Sequence, residues 1–250
     1  IVIGGGPGVY LGAERAGQAG LSTLLVEKRA LGGVCLNEGC IPSKTLLNSA
    51  KIADYARNGS KYGVSAENVR LDHEAVVNRK NKVVRTLVAG VSMKMKKNGV
   101  TVVNGEAMIT GRDSEGFQVK AGEMVYTGKR LMIATGSEPS MPPIPGLREG
   151  YADGFVLTNR EILDLKVLPE RLVIIGGGVI GLEMASYFNS AGCKVTVVEM
   201  LDHIAGPTDR EISAILYNNY KKLGVDFRLS ARVTQITPGT VAFETAEGLQ

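Results

Sequence analysis

Two cysteines, Cys35 and Cys40, are separated by four residues in the run Gly32-Gly33-Val34-Cys35-Leu36-Asn37-Glu38-Gly39-Cys40-Ile41-Pro42-Ser43-Lys44. A close thiol pair can carry two electrons by opening and closing a disulfide, can help to hold a metal, or can be inert. The order of the chain favours the first. An apolar strand, a glycine turn, a helix and a strand ending in an acid precede the cysteines, so the dithiol follows directly on a dinucleotide-binding pattern. Along a regular helix, residues five positions apart stand too far from each other for a disulfide. The segment must fold more tightly than that, and Gly39 is the residue able to take a left-handed conformation there. Cys40 is expected at a helix N-terminus, whose positive end favours a thiolate, with Lys44 one turn further along the same face. A zinc or iron–sulfur site wants about four ligands. Cys193, His73 and His203 are the remaining candidates and have no ligand-like spacing, so no metal is expected. Cys193 reads as a small core residue, and neither histidine is given a role.

The elements that must position these cysteines occur twice. Ile1-Val2-Ile3-Gly4-Gly5-Gly6-Pro7-Gly8 returns as Val173-Ile174-Ile175-Gly176-Gly177-Gly178-Val179-Ile180, and the register continues without a gap through Ala13 with Ala185, Gly20 with Gly192 and Glu27 with Glu199. Each copy is a βαβ unit of a dinucleotide-binding fold. Gly4 and Gly176 permit the tight turn. Gly6 and Gly178 let the backbone approach a pyrophosphate, which the following helix N-terminus attracts. Glu27 and Glu199 are placed to accept hydrogen bonds from ribose hydroxyls, and the carboxylate of Glu199 disfavours a 2′-phosphate, so the second site is expected to take NAD. The third glycine, which allows close helix–strand packing, is Gly181 in the second copy but Val9 in the first. Overpacking by Val9 is expected to cost about 1–3 kcal/mol, and its replacement by glycine to tighten cofactor retention.

The composition is that of a soluble α/β protein: 250 residues, 44% hydrophobic, 22% charged, with a net charge of +4. The basic run Lys94–Lys97 reads as a solvated helix end, so nucleic acid is not expected. No apolar run of about 18 residues lacks a charge, so neither is a membrane span. Three cysteines make no secreted disulfide framework, and a reducing cytoplasm is the default. Helices are expected over 41–57, 71–97 and 211–223, and a short one opened by a capping box of Thr158 and Glu161. The stretch from Val100 to Tyr126 reads as an antiparallel excursion, and Leu131 to Gly136 as a buried strand ending in a turn. The prolines between Pro139 and Pro145 mark a boundary, giving domains 1–146 and 147–250. The expected fold class is α/β: two Rossmann-like domains with parallel sheets and small antiparallel β excursions. The chain stops at Gln250 as if inside a β-hairpin, and is read as a piece whose second domain is incomplete.

These motifs resemble the class I pyridine nucleotide–disulfide oxidoreductases, the dihydrolipoamide-oxidising members above the others, over essentially the whole chain. The run Gly-Gly-Val-Cys-Leu-Asn-Glu-Gly-Cys-Ile-Pro-Ser-Lys matches the family's redox-active disulfide, supported by Ala134 to Ser137 and by Gly176 to Glu183. The resemblance implies FAD in the first domain and NAD in the second. It implies a Cys35–Cys40 disulfide, with Cys35 exchanging with lipoamide and Cys40 stacked near the flavin. Lys44 would lie near flavin N5, paired with Glu183. Glu27, Lys28, Gly33, Val34, Ala107, Thr135, Gly136 and Ser137 would contact FAD, with Gly4, Gly6 and Gly8. Gly176, Gly178, Val179, Ile180, Gly181, Glu183, Glu199 and Val233 would serve NAD. The implied reaction oxidises dihydrolipoamide, carried on the lipoyl domain of 2-oxo acid dehydrogenase or glycine cleavage complexes, by a homodimer.

The family's His–Glu acid–base pair, contributed near the C-terminus by a partner subunit, has no counterpart in these 250 residues. Little lipoamide turnover is therefore expected from this chain alone. Related glutathione or mercuric reductases, and a scaffold that has lost its chemistry, are the alternatives. Glutathione reductases would be expected to carry basic residues where Glu199 sits.

Overall fold

The structure is a computed structural model describing residues 1–250. In chain order the strands and helices are β1 (Val2–Ile3), α1 (Tyr10–Gln18), β2 (Thr23–Glu27), α2 (Gly33–Asn37), α3 (Cys40–Arg57), α4 (His73–Lys97), β3 (Val100–Asn104), β4 (Ala107–Arg112), β5 (Phe117–Ala121), β6 (Met124–Gly128) and β7 (Met132–Ile133). There follow α5 (Leu147–Ala152), α6 (Asn159–Leu163), β8 (Arg171–Ile175), α7 (Val179–Ala191), β9 (Lys194–Val198), α8 (Arg210–Lys222), β10 (Asp226–Arg228), β11 (Arg232–Thr237), β12 (Thr240–Thr245) and β13 (Gly248–Leu249).

The chain divides into two compact units, Ile1–Pro42 with Lys80–Glu138, and Ser43–Arg79 with Pro139–Gln250. In the first, β3-β2-β1-β7 form a parallel sheet, and β4-β5-β6 form an antiparallel one. Its core joins Val2, Val9, Ala13, Leu25, Leu36, Val91 and Met95. The run after Val100, expected to be wholly antiparallel, begins instead with β3 paired in parallel to β2. A β-branched run suits either pairing, and only the preceding helix, which returns the chain in the same direction, decides it. The strand expected to be buried after Leu131 is exposed at both Met132 and Ile133, because β7 is an edge strand with β1 as its one neighbour.

In the second unit, β10-β9-β8 are parallel and β11-β12-β13 antiparallel. Its core gathers Tyr187 and Phe188 of α7 with Val195 and Val197 of β9, and also takes in Leu46, Ala50 and Val77. That packing draws residues 43–79 into this unit, so the compact units differ from the linear division at 146. Ala13 and Ala185, equivalent in the repeat, are both fully buried; a small side chain there lets each helix close on its sheet. Thr158 and Glu161 form the capping box at the start of α6.

His73, left without a role by sequence reasoning, is buried between Tyr187 and Leu165. Its Nδ1 lies 2.8 Å from the Tyr187 hydroxyl and its Nε2 2.7 Å from the Leu165 carbonyl. A carbonyl can only accept, so Nε2 carries a proton. The Tyr187 phenol, which burial pushes up to about 12, stays protonated and donates to Nδ1. Tyr187→Phe keeps the ring packing but strands a buried acceptor. It is expected to lower unfolding stability by about 1–3 kcal/mol, measured by urea denaturation; an unchanged midpoint would argue against this network.

Candidate redox and dinucleotide sites

Both glycine turns are held by their acid in the same way. Glu27 Oε2 accepts from the Gly5 N–H at 2.6 Å and its Oε1 from the Arg29 N–H at 2.7 Å. Glu199 Oε2 accepts from the Gly177 N–H at 2.6 Å and its Oε1 from the Leu201 N–H at 2.7 Å. Hydrogen bonds to an ionised acceptor are roughly twice as strong as neutral ones, so each carboxylate ties the middle glycine to the end of its strand. Gly4 and Gly176 have φ of 107° and 103°, values open to glycine and unfavourable for other residues. A Cβ on Gly178 would meet nothing within 4 Å, and one on Gly6 only Gly33 Cα at 3.8 Å. The backbone of each turn thus faces open space from which a pyrophosphate can approach it, and the residues present fit a dinucleotide at both turns.

The cysteine segment is fastened to the first turn by backbone. The Gly32 N–H donates to Gly5 O at 2.8 Å, and a Cβ on Gly33 would stand 2.6 Å from Gly6 Cα. Gly32 and Gly33 both have positive φ, 93° and 56°. These, and not Gly39, are the left-handed residues of the segment. α2 then carries Val34, which is exposed, and Cys35, which is half-buried. The chain leaves the helix at Glu38 (φ −135°, ψ 11°), and α3 starts at Cys40, which is exposed. Gly39 serves close approach instead: a Cβ there would lie 3.1 Å from Val34 O and 3.5 Å from Cys35 Cα.

Two side chains missed in the sequence brace this loop. Asn37 Nδ2 donates to Leu31 O at 3.1 Å and to Gly33 O at 2.9 Å. Arg29 Nη1 pairs with Glu38 at 3.3 Å and lies 3.9 Å from Glu138. The signal for Asn37 was its place three residues before Cys40, where a short polar side chain bonds nearby backbone. Nothing local announces the pairing of Arg29.

In the second unit Lys44 Nζ is ion-paired and hydrogen-bonded with Glu183 Oε1, which gives the acid in the apolar helix α7 a partner. Ala107 opens β4 two residues after Gly105, whose N–H donates to Glu27 O at 2.9 Å. Val233, buried in β11, follows two residues after Ala231, whose N–H donates to Glu199 O at 2.9 Å. Both expected adenosine contacts therefore stem from the strand end that bears the acid. Thr135, Gly136 and Ser137 are exposed beyond β7, with Gly136 at φ 77°; Lys28, Gly8, Val179 and Ile180 are also exposed. Cys193 is buried, and that burial pushes its thiol up to about 11. His203 bonds Asp202 and the Gly206 carbonyl, and no group of three or more His, Cys, Asp or Glu gathers as a metal site.

A duplicated dinucleotide turn, one copy carrying a cysteine pair on its flank, defines the class of nucleotide-dependent dithiol oxidoreductases. The chain belongs to the pyridine nucleotide-disulphide oxidoreductase family, whose model matches residues 1–249. It is 43% identical over 244 residues to a dihydrolipoyl dehydrogenase of Acholeplasma laidlawii, covering 97% of this chain and 71% of that protein. It is 42% identical over 244 residues to the dihydrolipoyl dehydrogenase of Bacillus subtilis, covering 93% of this chain and 50% of the relative. The HOCl-induced flavoprotein disulfide reductase RclA of Escherichia coli superposes with a TM-score of 0.80 at 28% identity, over 100% of this chain and 53% of that one. Apart from the Acholeplasma protein, the chain spans about half the length of these relatives.

The exposures separate the thiols. Iodoacetamide at about pH 8, applied to the reduced, folded protein, is expected to label Cys40 and spare Cys193, read by peptide mass spectrometry. Labelling of Cys193 at a comparable rate would contradict its placement.

Proposed function

We propose that the protein to which this chain belongs oxidises dihydrolipoamide, with FAD bound at the first glycine turn and NAD⁺ at the second. The observation that carries this reading is the seating of Gly33 against Gly6, which sets the cysteine segment beside the first dinucleotide turn. The choice of dihydrolipoamide is supported by relatives of 42–43% identity that bear the name dihydrolipoyl dehydrogenase, against 28% for RclA. Bound FAD would supply a two-electron relay between the dithiol and the pyridine nucleotide.

In the oxidised protein, Cys35 and Cys40 form a disulfide. A substrate thiolate attacks Cys35 Sγ, the Cys35–Cys40 bond breaks, and Cys40 leaves as a thiolate at the start of α3. The second substrate thiol then attacks the mixed disulfide, closing lipoamide and releasing Cys35. Two electrons have passed to the protein sulfurs; re-forming the Cys35–Cys40 disulfide would return them, with one proton, to NAD⁺ and release a second proton. Lys44, fixed by Glu183, would present a cation to the isoalloxazine, with Lys28, Val34 and Thr135 to Ser137 bordering FAD. Glu27 would hold its ribose and Ala107 its adenine side. Glu199 and Val233 would flank the adenosine of NAD, and the carboxylate of Glu199 would repel a 2′-phosphate. A homodimer in the cytoplasm, serving a lipoyl domain, completes the proposal.

The full-length protein tests it. NADH production from NAD⁺ and dihydrolipoamide is expected to fall to background in Cys35→Ser while flavin absorbance is retained. NAD⁺ is expected to be preferred over NADP⁺ by about a hundredfold or more. Retained turnover by the serine variant would overturn the role of Cys35, and equal use of the two nucleotides would overturn that of Glu199.

A further inference from the structure

The two glycine turns differ at one position, and the molecule thereby contains its own comparison. In the second turn, α7 starts at Val179 directly after Gly178. The first helical bond runs from the Leu182 N–H to Gly178 O at 3.0 Å, and the N–H groups of Val179, Ile180 and Gly181 make no backbone hydrogen bond. These three are the donors that a helix N-terminus offers an anion. The third-glycine position admits nothing larger while the helix keeps this start, since a Cβ on Gly181 would stand 2.3 Å from Gly176 O.

In the first turn the equivalent residue is Val9. Val9 is 1% exposed and packed in the core of the unit. The backbone makes the room. Val9 lies at φ −135°, ψ −29°, and α1 begins at Tyr10, three residues later in register than α7. The Tyr10 N–H donates to Gly6 O at 3.0 Å, as Leu182 does to Gly178 O in the second copy, and the difference is that the Val9 N–H is also turned back onto Gly6 O, at 3.1 Å. Pro7 has no N–H. Of the three first-turn donors that the second copy keeps, Gly8 alone remains available in the first.

We propose that Val9 is an affinity-setting residue: by turning its own N–H inward, it weakens the hold of the first turn on the pyrophosphate of a bound dinucleotide. This rests on the reading of that turn as the FAD site. The remaining grip falls to Gly8 and to the groups around Glu27 and Gly33.

The test is made on the full-length protein stripped of flavin, with the FAD dissociation constant read by flavin fluorescence and apo-protein stability by thermal unfolding. Val9→Gly is expected to bind FAD about tenfold more tightly, the worth of one regained charge-assisted hydrogen bond. The same change is expected to lower the apo-protein Tm, because a buried side chain is lost. A purely structural role would move both properties toward loss. Val9→Ala, which keeps the Cβ, is expected to lose stability without gaining affinity. Gly181→Val is expected to weaken NADH binding about tenfold and leave FAD binding alone. Equal or weaker FAD binding by folded Val9→Gly, or an equal gain in Val9→Ala, would overturn the proposal. Where Val9→Gly does not fold, unchanged NADH binding by folded Gly181→Val would overturn it. Failure of the unaltered protein to bind FAD would instead overturn the site reading beneath it.

Discussion

A carboxylate at the end of the second strand governs the local geometry of each dinucleotide turn. Glu27 and Glu199 each accept two backbone N–H groups, one from the middle glycine of the turn and one from the residue two places on. An unpaired N–H at such a partly buried place would cost about 1–3 kcal/mol, so the acid does structural work before it meets any ribose. From that bond the first unit is built outward. Glu27 holds Gly5, Gly5 accepts from Gly32, and Gly33 lies on Gly6. The position of Cys35 follows from this series of contacts together with the packing of Leu36 in the core of the unit.

The proposed function rests on a cysteine loop clasped to the first glycine turn, where it would set sulfur beside a bound FAD. The loop is stiffened by Asn37, which bonds two carbonyls of its own segment, and steadied by Arg29 and Glu38 at its surface. The ion pair is partly exposed and contributes at most about 1 kcal/mol, so the hydrogen bonds of Asn37 and the glycine contacts carry the geometry.

Much of this was legible in the sequence because it is local. The repeat, the acids, the helix starting at Cys40 and the capping box of Thr158 and Glu161 all depend on residues a few positions apart or on exact register. What escaped depends on distant partners. The packing of Leu46, Ala50 and Val77 with Tyr187 and Phe188, which moves residues 43–79 into the second unit, leaves no mark in the local pattern. A β-branched run such as β3 carries no sign of parallel or antiparallel pairing. Gly39 was read for conformational freedom when its use is close approach to Val34 and Cys35, a distinction that requires coordinates. His73 looked idle because Tyr187, its partner, is 114 positions away.

The claim on which the account stands is that a thiol of this loop touches the ring of a flavin bound at the first turn. The most direct measurement is a crystal structure of the flavin-loaded full-length protein, giving the separation of Cys40 Sγ from the isoalloxazine. Van der Waals contact, about 3.5–4 Å, is the predicted result. A sulfur separated from the ring by intervening side chains or solvent, with the flavin seated on the Gly4–Gly8 turn, would contradict it.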